Sequence, residues 1–318
     1  MAGFQSTHER HRQKQESALF RFLGKFKVRQ LRRRTFGQRI GRDLHERFVR
    51  FHKKIRREMI PKKIHYCWLS GDPFPELIAK CISGWSEKLP DYEFVLWDAN
   101  RFNIQNNLWV KQAFEAKKYA FAADFIRLYA VYTQGGIYLD TDIEVVKPFD
   151  DLLRLPYFIG SEGHSNIEAG IFGAEAGQTW LGDCLKYYDN REFIKPDGTF
   201  DILTLPRIMN QQIEQNREIV EASKTEIFAS DLRDESKLFI FPKDFFCAKD
   251  HGTGIVEKTE NTYAIHHFAM SWVGAKTTFL PNLKRKLMAV FGVGFVSSVI
   301  TVLGLKAIRD AIAKKKAP

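Results

Sequence analysis

Two aspartates one residue apart, Asp140 and Asp142, follow a short apolar run in the segment GGIYLDTDIEVVKPF, residues 135–149. The run is typical of a buried strand, where an unpaired carboxylate costs free energy. Alternate residues of a strand face the same side, so we expect both carboxylates on one face, about 7 Å apart. Carboxylate oxygens suit Mg²⁺ and Mn²⁺, and such an ion also binds phosphate oxygens. The pair therefore predicts a divalent-cation site for a nucleotide diphosphate.

A third ligand for this ion is expected from the segment AIHHFAMSW, residues 264–272. Either His266 or His267 could supply an imidazole nitrogen, a common metal ligand. Neighbouring residues of a strand face opposite sides, so at most one of these histidines is expected to reach the aspartates.

A further charged pair, Asp124 and Arg127, lies three residues apart in a segment with helical patterning, residues 120–136. Residues at this spacing share a helix face. The apolar neighbours Phe121 and Phe125 argue against full exposure of that face, so the pair is a candidate part of the site rather than an ordinary surface ion pair.

The elements that position these residues alternate between strand and helix. Strand patterns at 64–69 and 92–98 flank a helical pattern at 75–89, and the helix at 120–136 precedes the strand of the aspartate pair. This alternation predicts an α/β fold with a mostly parallel central sheet, whose strand ends commonly bind ligands. Neither GxGxxG nor GxxxxGK[ST] occurs, so neither common glycine loop for phosphate is available.

Charge is distributed unevenly along the 318 residues, whose net charge is +11. Residues 1–63 hold 20 Lys and Arg against 5 acids, and residues 284–318 hold 8 against 1, whereas the part between them is acidic. We therefore expect a basic N-terminal extension at 1–60, a folded body at 61–283 and an apolar and basic helical tail at 284–318.

The tail contains an uncharged stretch of 19 residues, 287–305. A spanning helix needs about 20 apolar residues, so this stretch could span a membrane, lie in its plane, or pack on the body as a helix. The basic ends predict attraction to an anionic membrane surface. The first residues lack the apolar run of a secretory signal, and no CxxC pair occurs. We expect a cytoplasmic protein held at the inner face of the cell membrane.

Three segments together resemble a known family: IPKKIHYCWLSG, AFAADFIRLYAVYTQGGIYLDTDIEVVKPF and IHHFAMSW. They are similar, in this order, to the sugar-binding-region glycosyltransferases with a DXD motif, family 32. The segment at 167–209 most resembles the bacterial branch that makes capsular and other surface polysaccharides. The resemblance implies a GT-A-like fold and retaining hexosyl transfer that depends on Mn²⁺ or Mg²⁺. It implies a nucleotide-sugar donor, with UDP favoured over GDP, and a glycan or lipid-linked glycan acceptor.

The resemblance also assigns roles to individual residues. Trp68 matches the aromatic residue that stacks on the nucleobase, and Ser271 and Trp272 match a lid over the diphosphate. The remaining matches are to donor contacts (Asp124, Arg127, Tyr138 and Asp140), to the direct metal ligand (Asp142) and to a further metal ligand (His266, with His267 as the alternate).

Two other functions fit part of the sequence. A metal-dependent phosphohydrolase also uses paired aspartates with Mg²⁺, but it commonly requires a denser cluster of Asp and His. The sequence pI of about 9.4 suggests a nucleic-acid-binding protein. The acidic body and the absence of a recognisable binding motif argue against nucleic acid as a partner.

Overall fold

The computed structural model describes residues 59–163 and 166–269, together with seven isolated positions between 287 and 299. All of them belong to the second of two units into which the chain divides, Ile55–Pro318. The expectations for the basic extension at 1–60 and for most of the tail therefore fall outside the described residues, apart from Met59 and Ile60.

Between residues 59 and 269 the structure describes nine strands and six α-helices. The strands are β1 (Lys63–Cys67), β2 (Glu93–Trp97), β3 (Gly136–Leu139), β4 (Ile143–Val145), β5 (Tyr157–Gly163), β6 (Asn166–Ala174), β7 (Glu218–Glu221), β8 (Lys237–Ile240) and β9 (Ala264–His266). The α-helices are α1 (Glu76–Lys88), α2 (Leu108–Glu115), α3 (Tyr119–Gln134), α4 (Thr179–Lys186), α5 (Leu205–Ile213) and α6 (Lys224–Ala229). Two 3₁₀ turns lie at Ile104–Asn106 and Lys243–Phe245.

The central sheet has five strands in the order β2-β1-β3-β6-β5. β1 pairs in parallel with both β2 and β3, whereas β6 runs antiparallel to both β3 and β5. The α/β class is confirmed, but the sheet is mixed rather than mostly parallel. The physical reason is that no helix separates β5 from β6, so these strands form a hairpin, and a hairpin is antiparallel.

Helix α3 is buried along most of its length, including the charged residues Asp124 and Arg127. It ends at Gly135, where φ is +63°, and Gly136 follows at +112°. A Cβ on Gly136 would lie 2.7 Å from the Lys63 carbonyl oxygen, so only glycine fits between the helix and β1. This tight turn sends the chain directly from α3 into β3.

A small antiparallel ribbon beside the central sheet joins distant parts of the chain. β4 follows β3 closely and pairs with β9, with Ile143 opposite His266 and Val145 opposite Ala264. The ribbon therefore brings the end of β9 to the end of β3. β7 and β8 form a separate two-stranded parallel sheet.

Among the described residues, no helix is both long enough and apolar enough to cross a bilayer.

Candidate active site

The aspartate pair lies in the turn between β3 and β4 and not on a strand. β3 ends at Leu139, the Asp140 amide donates to the Gly170 carbonyl over 2.7 Å, and the Ile143 amide donates to the Asp140 carbonyl over 3.0 Å. The expectation of two carboxylates alternating along a strand was therefore wrong in its local geometry. The turn nevertheless brings Asp140 and Asp142 close together, because it folds the chain back on itself.

The structure distinguishes the two histidines. His266 faces the aspartates, with its Nε2 3.5 Å from Asp142 Oδ1. His267 faces the other side of the ribbon, where its Nε2 lies 2.9 Å from Glu144 Oε2. Of the two histidines, His266 is the one that the structure places with Asp140 and Asp142.

Asp140, Asp142 and His266 form a group that could hold a divalent cation. One ligand atom from each lies within 4.8 Å of the other two. Two carboxylate oxygens and one imidazole nitrogen suit Mn²⁺ and Mg²⁺, which keep further positions for water and phosphate. Gly170 faces this group, and a Cβ there would lie 3.0 Å from Asp140 Oδ2 and 2.8 Å from the His266 ring. The residues present fit the ion that the resemblance implies.

The electrostatics of the site separate the two aspartates. Burial alone would raise the pKa of Asp142, but His266 and the amide of Ala269 outweigh it and lower that pKa to about 2. Burial opposes protonation of His266, but Glu168 and Asp142 outweigh it and raise the His266 pKa well above its usual value. Asp142 is therefore held as a carboxylate. Asp140 differs, because its burial outweighs Arg127 and raises its pKa.

Arg127 joins α3 to the turn of the aspartates. Its Nη2 lies 3.1 Å from Asp124 Oδ1, and its Nη1 donates to Asp140 Oδ2 and to the Ala169 carbonyl, both over 3.0 Å. The guanidinium also lies over the Tyr138 ring, 4.7 Å from its centre. The pair that the sequence placed on one helix face is thus a buried bridge between the helix and the metal-ligand candidates.

Asp124 and Tyr138 have different surroundings. Burial raises the pKa of Asp124 to about 7; Arg127 opposes this and Asp140 adds to it. Tyr138 is 1% exposed, and its hydroxyl donates to Asp140 Oδ1 over 2.8 Å. Asp124 therefore carries a carboxyl group that titrates near neutral pH, whereas the hydroxyl of Tyr138 orients Asp140.

These groups line one cleft with a volume of about 640 Å³. That volume is in the range of small-molecule sites, about 300–1,000 Å³. Trp68 also lines the cleft; its Nε1 donates to the Asp72 carbonyl over 2.7 Å, and its ring meets Phe74 edge to face. The cleft thus contains Trp68, Asp124, Arg127, Tyr138, Asp140, Asp142 and His266 together. Ser271 and Trp272 lie outside the described residues.

Glu168, to which no sequence motif assigns a role, is 2% exposed on β6 and lines the same cleft. Burial would raise its pKa, but His266 and the Gly170 amide outweigh burial and lower it. One signal was present in the sequence: Glu168 is a single acid within the apolar strand NIEAGIFGA. A carboxylate buried in such a strand needs a hydrogen-bonding or charged partner. Here that partner, His266, is distant in the sequence, so no local motif reveals it.

Part of the chain matches the model of a known protein family. Residues 75–159 match the model of the family described as "Glycosyltransferase sugar-binding region containing DXD motif". The matched range contains Asp124, Arg127 and the aspartate turn, but it ends before the strands that carry Glu168 and His266.

Parts of the chain are also similar to curated proteins and to solved structures. Inositol phosphoceramide mannosyltransferase 3 of Schizosaccharomyces pombe is 30% identical over 126 residues, which are 38% of this chain and 35% of the relative. Mannosyl phosphorylinositol ceramide synthase SUR1 of Saccharomyces cerevisiae is 29% identical over 147 residues, 43% of this chain and 37% of the relative. The chain thus spans about a third of the length of these relatives. Among solved structures, the PaToxG glycosyltransferase aligns with a TM-score of 0.40 and 19% identity, over 50% of this chain and 69% of its own.

The described residues form an α/β domain in which a DXD turn follows the third strand of a mixed five-stranded sheet. Residues 75–159 of that domain are similar to the sugar-binding region of glycosyltransferases with a DXD motif. The two relatives are fungal mannosyltransferases. The bacterial polysaccharide branch, which the middle of the chain led us to expect, is therefore not supported.

Proposed function

We propose that this protein is a metal-dependent, retaining glycosyltransferase that moves a hexose from a nucleotide diphosphate sugar to a lipid-linked or other surface glycan acceptor. The single observation that carries the proposal is the placement of the Asp140, Asp142 and His266 group beside the Asp124 and Arg127 pair in one cleft. The first group suits a cation and a diphosphate, and the second suits the hydroxyl groups of a sugar.

The roles follow from charge and hydrogen-bonding capacity. Asp140, Asp142 and His266 would hold Mn²⁺ or Mg²⁺, which neutralises charge on a diphosphate leaving group when it is bound. Arg127 contributes a fixed positive charge on the floor of the cleft. Asp124 offers a carboxyl group that can accept hydrogen bonds from sugar hydroxyls or, when protonated, donate one.

Trp68 provides a surface on which a nucleobase can stack at one part of the cleft. A partly buried indole that lines a cleft offers a flat face for a base, and base–aromatic stacking tolerates any base. The preference for UDP over GDP thus stays a prediction from the resemblance. The names of the fungal relatives add mannosyl donors and inositol phosphoceramide, a lipid acceptor, to the substrates proposed for this protein.

A lipid-borne acceptor agrees with the proposed location at the inner face of the cell membrane. The support is the charge of the sequence: residues 1–63 hold 20 Lys and Arg against 5 acids, and the acidic body lies between two basic ends. Basic segments are attracted to anionic lipid, where the acceptor would be present at high local concentration.

The test is a donor panel. The full-length protein is incubated with Mn²⁺, or with Mg²⁺, and with UDP- and GDP-sugars including a mannosyl donor, and the products are separated by chromatography. We expect release of one free sugar and its nucleoside diphosphate, abolished by EDTA and by Asp142→Asn. Release of a nucleoside monophosphate and a sugar 1-phosphate, without free sugar, would instead support a phosphohydrolase. No turnover of any donor, with or without glycolipid acceptors, would contradict the proposal.

A further inference from the structure

Glu168 is buried at the floor of the cleft without a role in the proposed chemistry. It is 2% exposed and lies on β6, in a strand whose other central residues are apolar. An ionised carboxylate in such surroundings is costly unless hydrogen bonds compensate it. Its contacts therefore show what holds it there and what it holds in turn.

One oxygen of Glu168 makes two of these contacts. Oε1 accepts from the Gly170 amide over 2.7 Å and lies 3.0 Å from His266 Nδ1. A carboxylate can only accept, so His266 donates through Nδ1–H. The other ring nitrogen, Nε2, then faces Asp142 Oδ1 at 3.5 Å. The imidazole thus lies between two carboxylates, one at each nitrogen.

The packing around the ring restricts its movement. The Phe268 ring stacks on His266 with 4.1 Å between ring centres. A Cβ on Gly170 would lie 2.8 Å from both Glu168 Oε1 and the His266 ring, so the side chains are packed tightly around this glycine. Stacking fixes the plane of the ring, but a half-turn about the Cβ–Cγ bond keeps that plane and exchanges Nδ1 with Cδ2 and Nε2 with Cε1. The hydrogen bond from Nδ1–H to Glu168 opposes that flip, because the flip would direct a C–H group at the carboxylate.

We propose that Glu168 is a positioning residue that holds His266 with Nε2 directed toward Asp142, so that this nitrogen is available to the cation. The inference rests on the proposed function, because the cation belongs to it. Metal-binding histidines generally donate their second ring nitrogen to a carboxylate or carbonyl, and removing that partner typically weakens metal affinity by about 10- to 100-fold.

The chain contains a matched control for this contact. Glu144 Oε2 lies 2.9 Å from His267 Nε2, so a second, more exposed carboxylate–histidine pair involves the residue next to His266. That pair faces away from the aspartates, and Glu144 does not line the cleft. Removal of the Glu144 carboxylate tests for general effects of losing such a pair near β9.

The experiment compares the wild type with Glu168→Gln, Glu168→Ala and Glu144→Gln. Mn²⁺ affinity is measured by electron paramagnetic resonance, which reports the free ion without any turnover. We expect the Mn²⁺ dissociation constant to rise about 10- to 100-fold in Glu168→Ala, by a smaller factor in Glu168→Gln, and less than twofold in Glu144→Gln. Glutamine retains an acceptor for Nδ1–H but loses the charge.

A second readout separates positioning from general damage. Two-dimensional ¹H–¹⁵N spectra of the imidazole, recorded with the diamagnetic ion Mg²⁺, report which nitrogen of His266 carries the proton. We expect Nδ1–H in the wild type and in Glu168→Gln, and a mixture of both tautomers in Glu168→Ala. If Glu168→Ala does not fold, weakened Mn²⁺ binding in folded Glu168→Gln supports the inference, and wild-type binding there overturns it.

These measurements distinguish failure of the proposed metal site from failure of the proposed role of Glu168. Wild-type protein that binds no Mn²⁺ would overturn the proposed metal site. Wild-type protein that binds Mn²⁺, with unchanged affinity and an unchanged His266 tautomer in both Glu168 variants, would overturn only the role of Glu168.

Discussion

The guanidinium of Arg127 lies 3.0 Å from the carboxylate of Asp140, and this contact joins helix α3 to the turn that carries Asp140 and Asp142. The arginine also bonds Asp124 and a backbone carbonyl, so one planar group connects three partners in the interior. A planar fork with several donors is suited to this arrangement, and a lysine ammonium is not.

Arg127→Lys is therefore expected to damage both stability and activity. Loss of charged hydrogen bonds typically costs about 1.5–3 kcal/mol each, and the lysine can replace only part of the set. Denaturant unfolding measures the loss. Arg191→Lys serves as the control, because Arg191 pairs with Asp201 with 43% of its side chain exposed, where such a pair is worth about 0–1 kcal/mol. Equal losses in the two variants would contradict the buried bridge.

Asp142→Asn is expected to reduce transfer at least about 100-fold while the protein stays folded, because the change keeps the size of the side chain and removes the charge that a cation needs. Asp140→Asn should behave similarly, with weaker donor binding. The measurement is turnover of the preferred donor across a Mn²⁺ titration. Asp98→Asn is the control, since Asp98 follows β2 much as Asp140 follows β3 but does not line the cleft. Normal Mn²⁺-dependent turnover in Asp142→Asn would remove Asp142 from the ligand set.

Trp68→Ala is expected to weaken nucleotide binding through lost stacking, by about 1–3 kcal/mol. Calorimetric titration with UDP and GDP in the presence of Mn²⁺ measures the effect and also the preferred base. Phe74→Ala removes the ring that packs against Trp68 but does not itself line the cleft, so it should have the smaller effect. If the affinity of Trp68→Ala matches that of the wild type, Trp68 only packs against its neighbours.

His65 predicts a pH dependence of stability. It is fully buried, it accepts from Trp97 Nε1 at Nδ1 over 3.0 Å, and its Nε2 donates to the Gly135 carbonyl over 2.9 Å. Burial lowers its pKa from 6.5 to about 4. The contribution of neutral His65 to the free energy of unfolding is therefore fully present above pH 6.5. It is lost as the pH falls from 6.5 to 4, because the histidine of the unfolded chain takes up a proton at a higher pH than that of the folded chain. The loss amounts to about 3 kcal/mol.

The measurement is denaturant unfolding of the wild type and of His65→Asn between pH 7.5 and pH 4. Asparagine keeps an acceptor near the position of Nδ1 and does not titrate. Subtracting the two free energies of unfolding cancels the carboxylates that titrate in both proteins. The difference should shrink as the pH falls; a constant difference would show that His65 is not held neutral.

Both ends of the chain are expected to attach the protein to anionic membranes. The basic residues of 1–63 should attract anionic lipid, each nearby Lys or Arg adding up to about 1 kcal/mol before screening by salt. The uncharged stretch at 287–305 should add apolar burial, which salt does not screen. In liposome flotation we expect full-length protein to stay bound at high salt and a variant lacking residues 285–318 to be released. Full-length protein that does not bind anionic liposomes at low salt would contradict both contributions.

Local patterns in the sequence predicted most of the elements around the site. The helical patterns at 75–89 and 120–136 became Glu76–Lys88 and Tyr119–Gln134, because apolar periodicity and the glycine pair after the second helix are local properties. The antiparallel direction of β6 and the partners of Glu168 depend on which distant strands meet. A single sequence does not encode that pairing locally, and for the same reason it left His266 and His267 as alternatives.

The three-residue ribbon of β4 and β9 has a consequence for folding. Asp142 and His266 are far apart along the chain, and the pairing of β4 with β9, in which Ile143 lies opposite His266, brings them together. A ligand that bridges them binds only molecules in which this ribbon has formed. By mass action, such a ligand at 100 times its dissociation constant stabilises the closed ribbon by about 2.7 kcal/mol. Substrate and ion would then slow proteolytic cleavage near β9, coupling the lifetime of the protein to the supply of what it binds.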